Sequence, residues 1–215
     1  MNEKTFVVSP YLKKWLKRGT PLLQDWLKKE NNYLKKCIKG NPVILDVGCG
    51  FGRNIKELIN KDRKLVGIDY DKSVLKVAKK ELALYKNVIL FLEKAEKLHF
   101  KNNTFDYIIC MGNTFGDMTS TKTKVLNEMK RVAKKGGKII ISVFSEDALK
   151  ERVENLKRAG FKIIKIKNSD IFTKEGLITE QFSKENLKNI FKKAKLSVKI
   201  TELNPISYIC EAVKK

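Results

Sequence analysis

The chain has 215 residues, of which 42% are hydrophobic and 33% charged. That is apolar material for one sizeable core plus a modest appendage, and it excludes a wholly disordered, collagen-like or disulfide-stapled chain. Forty-six Lys and Arg against twenty-four Asp and Glu leave a net charge of +22, enough to attract nucleic acid or an anionic membrane by counterion release. The lysines are spread over the whole chain beside abundant Ile and Asn, so compositional bias or adaptation to heat is the simpler reading. No uninterrupted apolar run approaches the roughly 18 to 20 residues of a bilayer span, and the opening MNEKTFVVSP lacks the layout of a secretory signal. A cytoplasmic address without membrane attachment is expected. Cys37, Cys49, Cys110 and Cys210 lie far apart with no CxxC pair, as reduced thiols do, and no metal site is expected.

In chain order, Tyr11, Leu12, Trp15 and Leu16 suggest a short helix that ends at Gly19. Leu22, Leu23, Trp26, Leu27, Tyr33, Leu34, Cys37 and Ile38 then form the apolar stripe of a second helix, with Pro21 in its first turn. These aromatics pack a helix on the core, form a lid over a cleft, or both. From residue 43, apolar runs alternate with amphipathic segments: Val43 to Val47, then Ile55 to Asn60; Leu65 to Ile68, then Ser73 to Leu84; Val88 to Leu92; Tyr107 to Met111, then Lys122 to Ala133; and Lys138 to Phe144. This rhythm predicts βαβ units and a parallel sheet covered on both faces, with all strand C-termini at one edge. Gly136 and Gly137 are expected to close the helix before the last of these strands. Beyond Phe144 a helix (Glu146 to Ala159), an alternating run (Phe161 to Lys167), a segment turning at Glu175-Gly176, a helix starting at Ser183 and two alternating runs joined at Asn204-Pro205 are expected.

The most informative stretch is Val43-Ile-Leu-Asp-Val-Gly-Cys-Gly-Phe-Gly-Arg53. An apolar strand ends in an acidic residue and turns through Gly48, Gly50 and Gly52 into a helix, so bare backbone comes within reach of a ligand. The spacing fits neither a dinucleotide fingerprint, whose third glycine would fall on Arg53, nor a phosphate loop. One unit later Gly67-Ile-Asp-Tyr-Asp71 places Asp69 where an acidic residue accepts hydrogen bonds from ribose hydroxyls, so the ligand should carry a ribose.

Asp46 followed by glycines at every second position, with GIDYD after it, resembles motif I and the following acidic motif of class I S-adenosylmethionine-dependent methyltransferases. The resemblance continues at Glu93-Lys94-Ala95-Glu96-Lys97-Leu98-His99-Phe100, at Asn103-Thr104-Phe105-Asp106 and at Arg131-Val132-Ala133-Lys134-Lys135-Gly136-Gly137. It covers roughly residues 42 to 144 and the last thirty. It implies an α/β fold: a three-layer Rossmann-like methyltransferase sandwich, its seven-stranded sheet mostly parallel with an antiparallel last strand. S-adenosyl-L-methionine is the implied cofactor. Transferred position by position, Asp46, Gly48, Cys49, Gly50, Gly52, Asp69, Tyr70, Lys94, Ala95, Glu96, Cys110 and Gly112 become its expected contacts, with Tyr70 packing on the adenine face. Lys94 departs from the family's aspartate and cannot accept a bond from the adenine amino group, which shifts that role to Glu96 or backbone. His99, the sole histidine, stands at the family's proline position and reads as an exposed loop residue.

The acceptor site is expected where the fourth strand ends, at Cys110-Met-Gly-Asn-Thr-Phe-Gly-Asp-Met118. The [DN]PP[YF] of enzymes that methylate base amino groups is absent. Gly112-Asn113-Thr114-Phe115 is similar to the GNSF stretch of glycine and sarcosine N-methyltransferases, which implies a small amine or amino acid as acceptor. Asn113 is then the catalytic orienting group, Phe115 an apolar wall, and Tyr11, Trp15, Asn113, Thr114 and Phe115 the substrate contacts. A plain tight turn explains Gly112 and Asn113 almost as well. The expected division is an N-terminal helical lid at 1–40, a cofactor-binding core at 41–144 and 182–215, and an inserted substrate cover at 145–181, in a monomer or homodimer. The rival readings are an RNA or protein methyltransferase steered by the basic surface, and a non-catalytic protein that binds S-adenosylmethionine.

Overall fold

The computed structural model describes residues 9–215; the first eight residues of the expected lid lie outside them. Helix α1 (Ser9–Arg18) is separated from α2 (Pro21–Cys37) by Gly19 and Thr20. The Thr20 hydroxyl accepts from Leu23 N at 3.2 Å, capping α2, and Pro21 takes the first helical position, where no N–H is needed. Leu23, Trp26, Leu27 and Leu34 form the buried stripe of α2.

The βαβ rhythm then builds β1 (Val43–Val47), α3 (Arg53–Leu58), β2 (Lys64–Asp69), α4 (Lys72–Glu81), β3 (Val88–Leu92), β4 (Phe105–Cys110), α5 (Lys122–Val132) and β5 (Ala133–Phe144). After α6 (Leu149–Ala159), β6 (Ile163–Lys167), β7 (Asp170–Thr173) and β8 (Ile178–Thr179), the chain returns through α7 (Lys184–Lys193), β9 (Val198–Asn204) and β10 (Ser207–Val213). The large sheet has the order β3-β2-β1-β4-β5-β10-β9. Strands β1 to β5 pair in parallel, and β10 runs antiparallel to both its neighbours. This is the expected mostly parallel sheet with its last strand reversed.

Side-chain alternation explains the three layers. Ile44, Ile109 and Ile140 pack with α2, α3 and α4 on one face. Leu45, Ile108, Ile139 and Ile141 pack with α5 and α7 on the other. Asp71 caps α4 by accepting from Ser73 N at 2.7 Å, and Ser183 caps α7 by accepting from Asn186 N at 3.1 Å. Gly136 and Gly137 do not close a helix, contrary to the sequence expectation. Ala133 already pairs with Phe105, the register jumps before Tyr107 meets Lys138, and the glycines fill that bulge in β5. Gly136 sits there at φ +76 and donates to Lys214 O at 2.8 Å.

The segment between β5 and α7 folds as α6 plus an antiparallel three-stranded sheet, β6-β7-β8. Arg152, 1% exposed, ties the helix to that sheet, its Nη1 donating to Ser169 O at 2.7 Å and Gln181 Oε1 at 2.8 Å. Helix α1 packs on α6 through Tyr11 and Trp15 against Leu156, Ala159 and Phe161. The α1–α2 joint is fastened to α6 as well: Thr20 N donates to Asn155 Oδ1 at 2.8 Å and Thr20 Oγ1 to Glu151 Oε2 at 2.6 Å. Among the described residues no helix is long and apolar enough to cross a membrane.

Candidate active site

The C-terminal edge of the parallel strands holds a cavity of about 490 Å³, within the range of small-molecule sites and at the place open α/β sheets use for ligands. One half is built from the glycine loop and the ends of β2 and β3. The other lies between the turn after β4, helix α1 and the segment that follows β5.

In the first half, Gly48 and Gly50 adopt φ +71 and +54, which side chains rarely do. A β-carbon on Gly48 would run into the Thr114 methyl group, and one on Gly50 would stand 3.0 Å from Leu12 Cδ2. Thr114 and Leu12 thus pack against the loop so closely that only bare backbone fits. Asp69 Oδ2 accepts from Gly50 N at 2.9 Å and its Oδ1 from Asp71 N at 2.9 Å, fixing the loop against β2. Burial raises the Asp69 pKa, although those N–H groups oppose the shift. Cys49, Tyr70, Lys94, Ala95, Glu96 and Gly112 also line the cavity. Tyr70 is half exposed at 47%, with a broad ring face free.

Asp46 lies beneath this loop, 1% exposed and outside the cavity lining. Both its oxygens, and Asn54 Oδ1 beside them, are buried without a hydrogen-bond partner. Burial pushes Asp46 up to about 7 against the pull of Arg53. Orphaned acceptors of this kind suit a cationic ligand group. Together with the cradle and Asp69, they fit S-adenosylmethionine, which carries an ammonium, a sulfonium and a ribose.

Several expected contacts point elsewhere. Gly52 starts α3 at φ +78, and a β-carbon there would meet Leu82 at 2.6 Å, so it serves helix packing. Cys110 is fully buried in the core. Asn113 is 2% exposed and its amide is consumed internally. Nδ2 donates to Thr179 Oγ1 at 3.0 Å and Glu180 O at 3.2 Å, while Oδ1 accepts from Phe144 N at 3.1 Å. It is a structural pin in a left-handed turn (φ 65) rather than a free orienting group. Phe115 is also fully buried, its ring 6.3 Å from that of Phe182, and forms no wall. Tyr11 stacks on Phe161 at 4.3 Å, and the cavity lining from α1 is Leu12, Trp15 and Leu16. Of the proposed substrate contacts, Trp15, Asn113 and Thr114 are among the cavity-lining residues. His99 is exposed and bonded through Nδ1 to Glu93 Oε2 at 2.7 Å.

Sequence reasoning missed four polar residues. Glu30 of α2, fully buried, accepts from Arg53 Nη2 at 2.6 Å, from Gly112 N at 3.0 Å and from the Ser142 hydroxyl. Arg53 entered the sequence reading only as the residue that spoils a dinucleotide motif. Asp117 and Arg152 line the far half of the cavity. The signal for Asp117 was its position in the stretch after β4; Glu30 and Arg152 had none.

The sequence pattern described as a methyltransferase domain matches residues 38–195. An uncharacterized protein, MJ1252 of Methanocaldococcus jannaschii, is 32% identical over 160 residues, covering 74% of this chain and 58% of its own length. The ubiquinone/menaquinone biosynthesis C-methyltransferase UbiE of Wigglesworthia glossinidia brevipalpis is 34% identical over 124 residues, 54% of this chain and 48% of that protein. The chain spans about half to two thirds of the length of such curated relatives. A SAM-dependent methyltransferase from Aquifex aeolicus superposes with a TM-score of 0.69 at 20% identity, over 96% of this chain and 99% of the other. With sheet order, glycine cradle and family pattern in agreement, the chain belongs to the methyltransferase-domain family and has the class I S-adenosylmethionine-dependent methyltransferase fold.

Proposed function

We propose that the protein transfers a methyl group from S-adenosylmethionine to a small amine or amino-acid nitrogen. The observation that carries this reading is the cavity at the strand ends. It runs from the glycine cradle to a part lined by Trp15, Phe144, Leu156 and Phe161, which supports a small, partly apolar acceptor. S-adenosylmethionine, when bound, supplies an electrophilic methyl carbon on a sulfonium. Asp46, buried beneath the loop, would favour its ammonium through water, Gly48 and Gly50 would give it backbone, Asp69 would take the ribose hydroxyls, and Tyr70 and Ala95 would hold the adenine. The chain's remaining task is to keep the acceptor in line and water out. Helix α1 and the segment 145–181 supply the apolar cover for that.

A second reading, methylation of a ring carbon on a quinone-like acceptor, draws support from the UbiE relative and from the apolar walls. Incubation with S-adenosylmethionine labelled in its methyl group, followed by separate counting of a pooled small-amine fraction, a demethylated quinone and bulk RNA, distinguishes these. Label in the amines supports the proposal, label in the quinone replaces it with the second reading, and label in RNA overturns both.

A further inference from the structure

Asp117 ends the single 3-10 turn Thr114–Asp117 that follows β4. Its side chain is solvent-exposed and lines the cavity. Thr179 of β8 donates a hydrogen bond to it, and Asn113 Nδ2 stands 3.4 Å from Oδ1. Two cations face it: Arg152, whose Nε is buried without a partner and whose charge Asp117 favours, and Lys122. Arg152 of α6 spends its Nη groups on Ser169 O, Gln181 Oε1 and Thr179 O, and Lys122 of α5 bonds Glu180 Oε1 at 2.6 Å. Tyr70 and the buried Cys110 also feel the Asp117 charge. Among the described residues no salt bridge reaches Asp117, and Trp15, Phe144, Leu156, Phe161, Leu177 and Ile178 line the same cavity.

We propose that Asp117 is the carboxylate of the acceptor site, binding the ammonium form of a small apolar-bodied amine and taking one proton from it. The inference rests on the reading of the site as a methyl-transfer site and adds the charge class of the acceptor. An ammonium beside the Asp117 carboxylate gains charge attraction, and aromatic faces of the cavity add to it. The same cavity disfavours both charges, so proton transfer from ammonium to carboxylate, uphill in water, becomes accessible. The freed nitrogen lone pair forms the N–C bond as the C–S bond breaks, and sulfur keeps that electron pair as a neutral thioether. The product leaves as a methylammonium, and the Asp117 carboxylic acid returns its proton to water. The protein packed around the cavity raises the Asp117 pKa to about 7 although its side chain reaches solvent, so the anion that recognises the amine is present above that pH and lost below it.

The test is calorimetry with 2-phenylethylamine and its uncharged counterpart 2-phenylethanol, each titrated into the protein saturated with S-adenosylhomocysteine, at pH 6 and pH 8. The amine should bind about tenfold tighter at pH 8, the ratio of ionised Asp117 at the two values, and the alcohol equally at both. In Asp117→Asn the amine should lose at least tenfold in affinity and its pH dependence, while the alcohol is unaffected. The wild-type comparison stands without the variant. Amine binding that ignores pH, equal loss of amine and alcohol in the variant, or no binding of either probe to the wild type overturns the proposal. Absence of heat in the preceding S-adenosylhomocysteine titration overturns instead the methyltransferase reading beneath it.

Discussion

Glu30 and Arg53 meet at 2.6 Å, joining the middle of α2 to the first residue of the helix after the glycine loop. Glu30 is fully buried and also receives Gly112 N and the Ser142 hydroxyl, so one carboxylate gathers an N-terminal helix, the cofactor loop, the turn after β4 and strand β5. Such a junction costs desolvation, and removing one partner strands the others. Glu30→Gln should therefore lower stability by about 2 to 4 kcal/mol and weaken S-adenosylhomocysteine binding. Urea unfolding and calorimetry on one preparation check both.

Asp69 carries two backbone N–H groups besides any ribose contact. Asp69→Ala should cut S-adenosylhomocysteine affinity by about 1 to 3 kcal/mol, because the loop loses its anchor along with the ligand contact. Unchanged affinity in a titration would remove the cofactor assignment of this half of the cavity.

Gly48 faces Thr114 across the cradle. Gly48→Ala should weaken cofactor binding at least tenfold through strain at φ +71 and the collision with the Thr114 methyl. Adding Thr114→Ser removes that methyl and should recover part of the loss. Strict additivity in this double-mutant cycle would show that the two positions do not meet.

Asp46 has a folded pKa of about 7, above the ordinary 3.8. Below about 4 both folded and unfolded states hold its proton. Between there and 7 the unfolded state binds fewer protons, so its contribution makes stability fall as pH rises, and the penalty is complete above 7. Asp46→Asn should match the wild type at pH 4 and exceed it at pH 8 by up to about 4 kcal/mol in the ligand-free protein, while losing cofactor affinity. Melting temperatures at the two pH values give the answer.

Thr20 caps α2 and holds Asn155 and Glu151 of α6. Thr20→Val should cost about 1 to 3 kcal/mol, seen as a lower urea midpoint with an unchanged slope.

The parallel core was legible because its signals are local. Runs such as Val43–Val47 and Lys64–Asp69 are bounded by glycine and by acidic residues at strand ends, and each is complete within a few residues. The polar wiring was not, because its partners lie far apart in the chain: Glu30 reaches Ser142 and Thr20 reaches Asn155. Around β4 the place was readable and the direction was not. A 3-10 turn has three residues per turn, so Thr114 and Asp117 eclipse each other and both face the cavity, while Phe115 rotates into the core. Reading GNTF as a motif put weight on Phe115, which this geometry turns into the core, and on Asn113, whose amide is bonded internally at the cavity edge.

Asn113 pins Phe144, Thr179 and Glu180 with a single amide. The stretch between β5 and α7 therefore hangs from the sheet by a peg that belongs to the turn after β4. Exchanging that stretch for one from a sibling enzyme would succeed where the recipient keeps an asparagine in the same left-handed bend, and would yield a sagging graft where it does not.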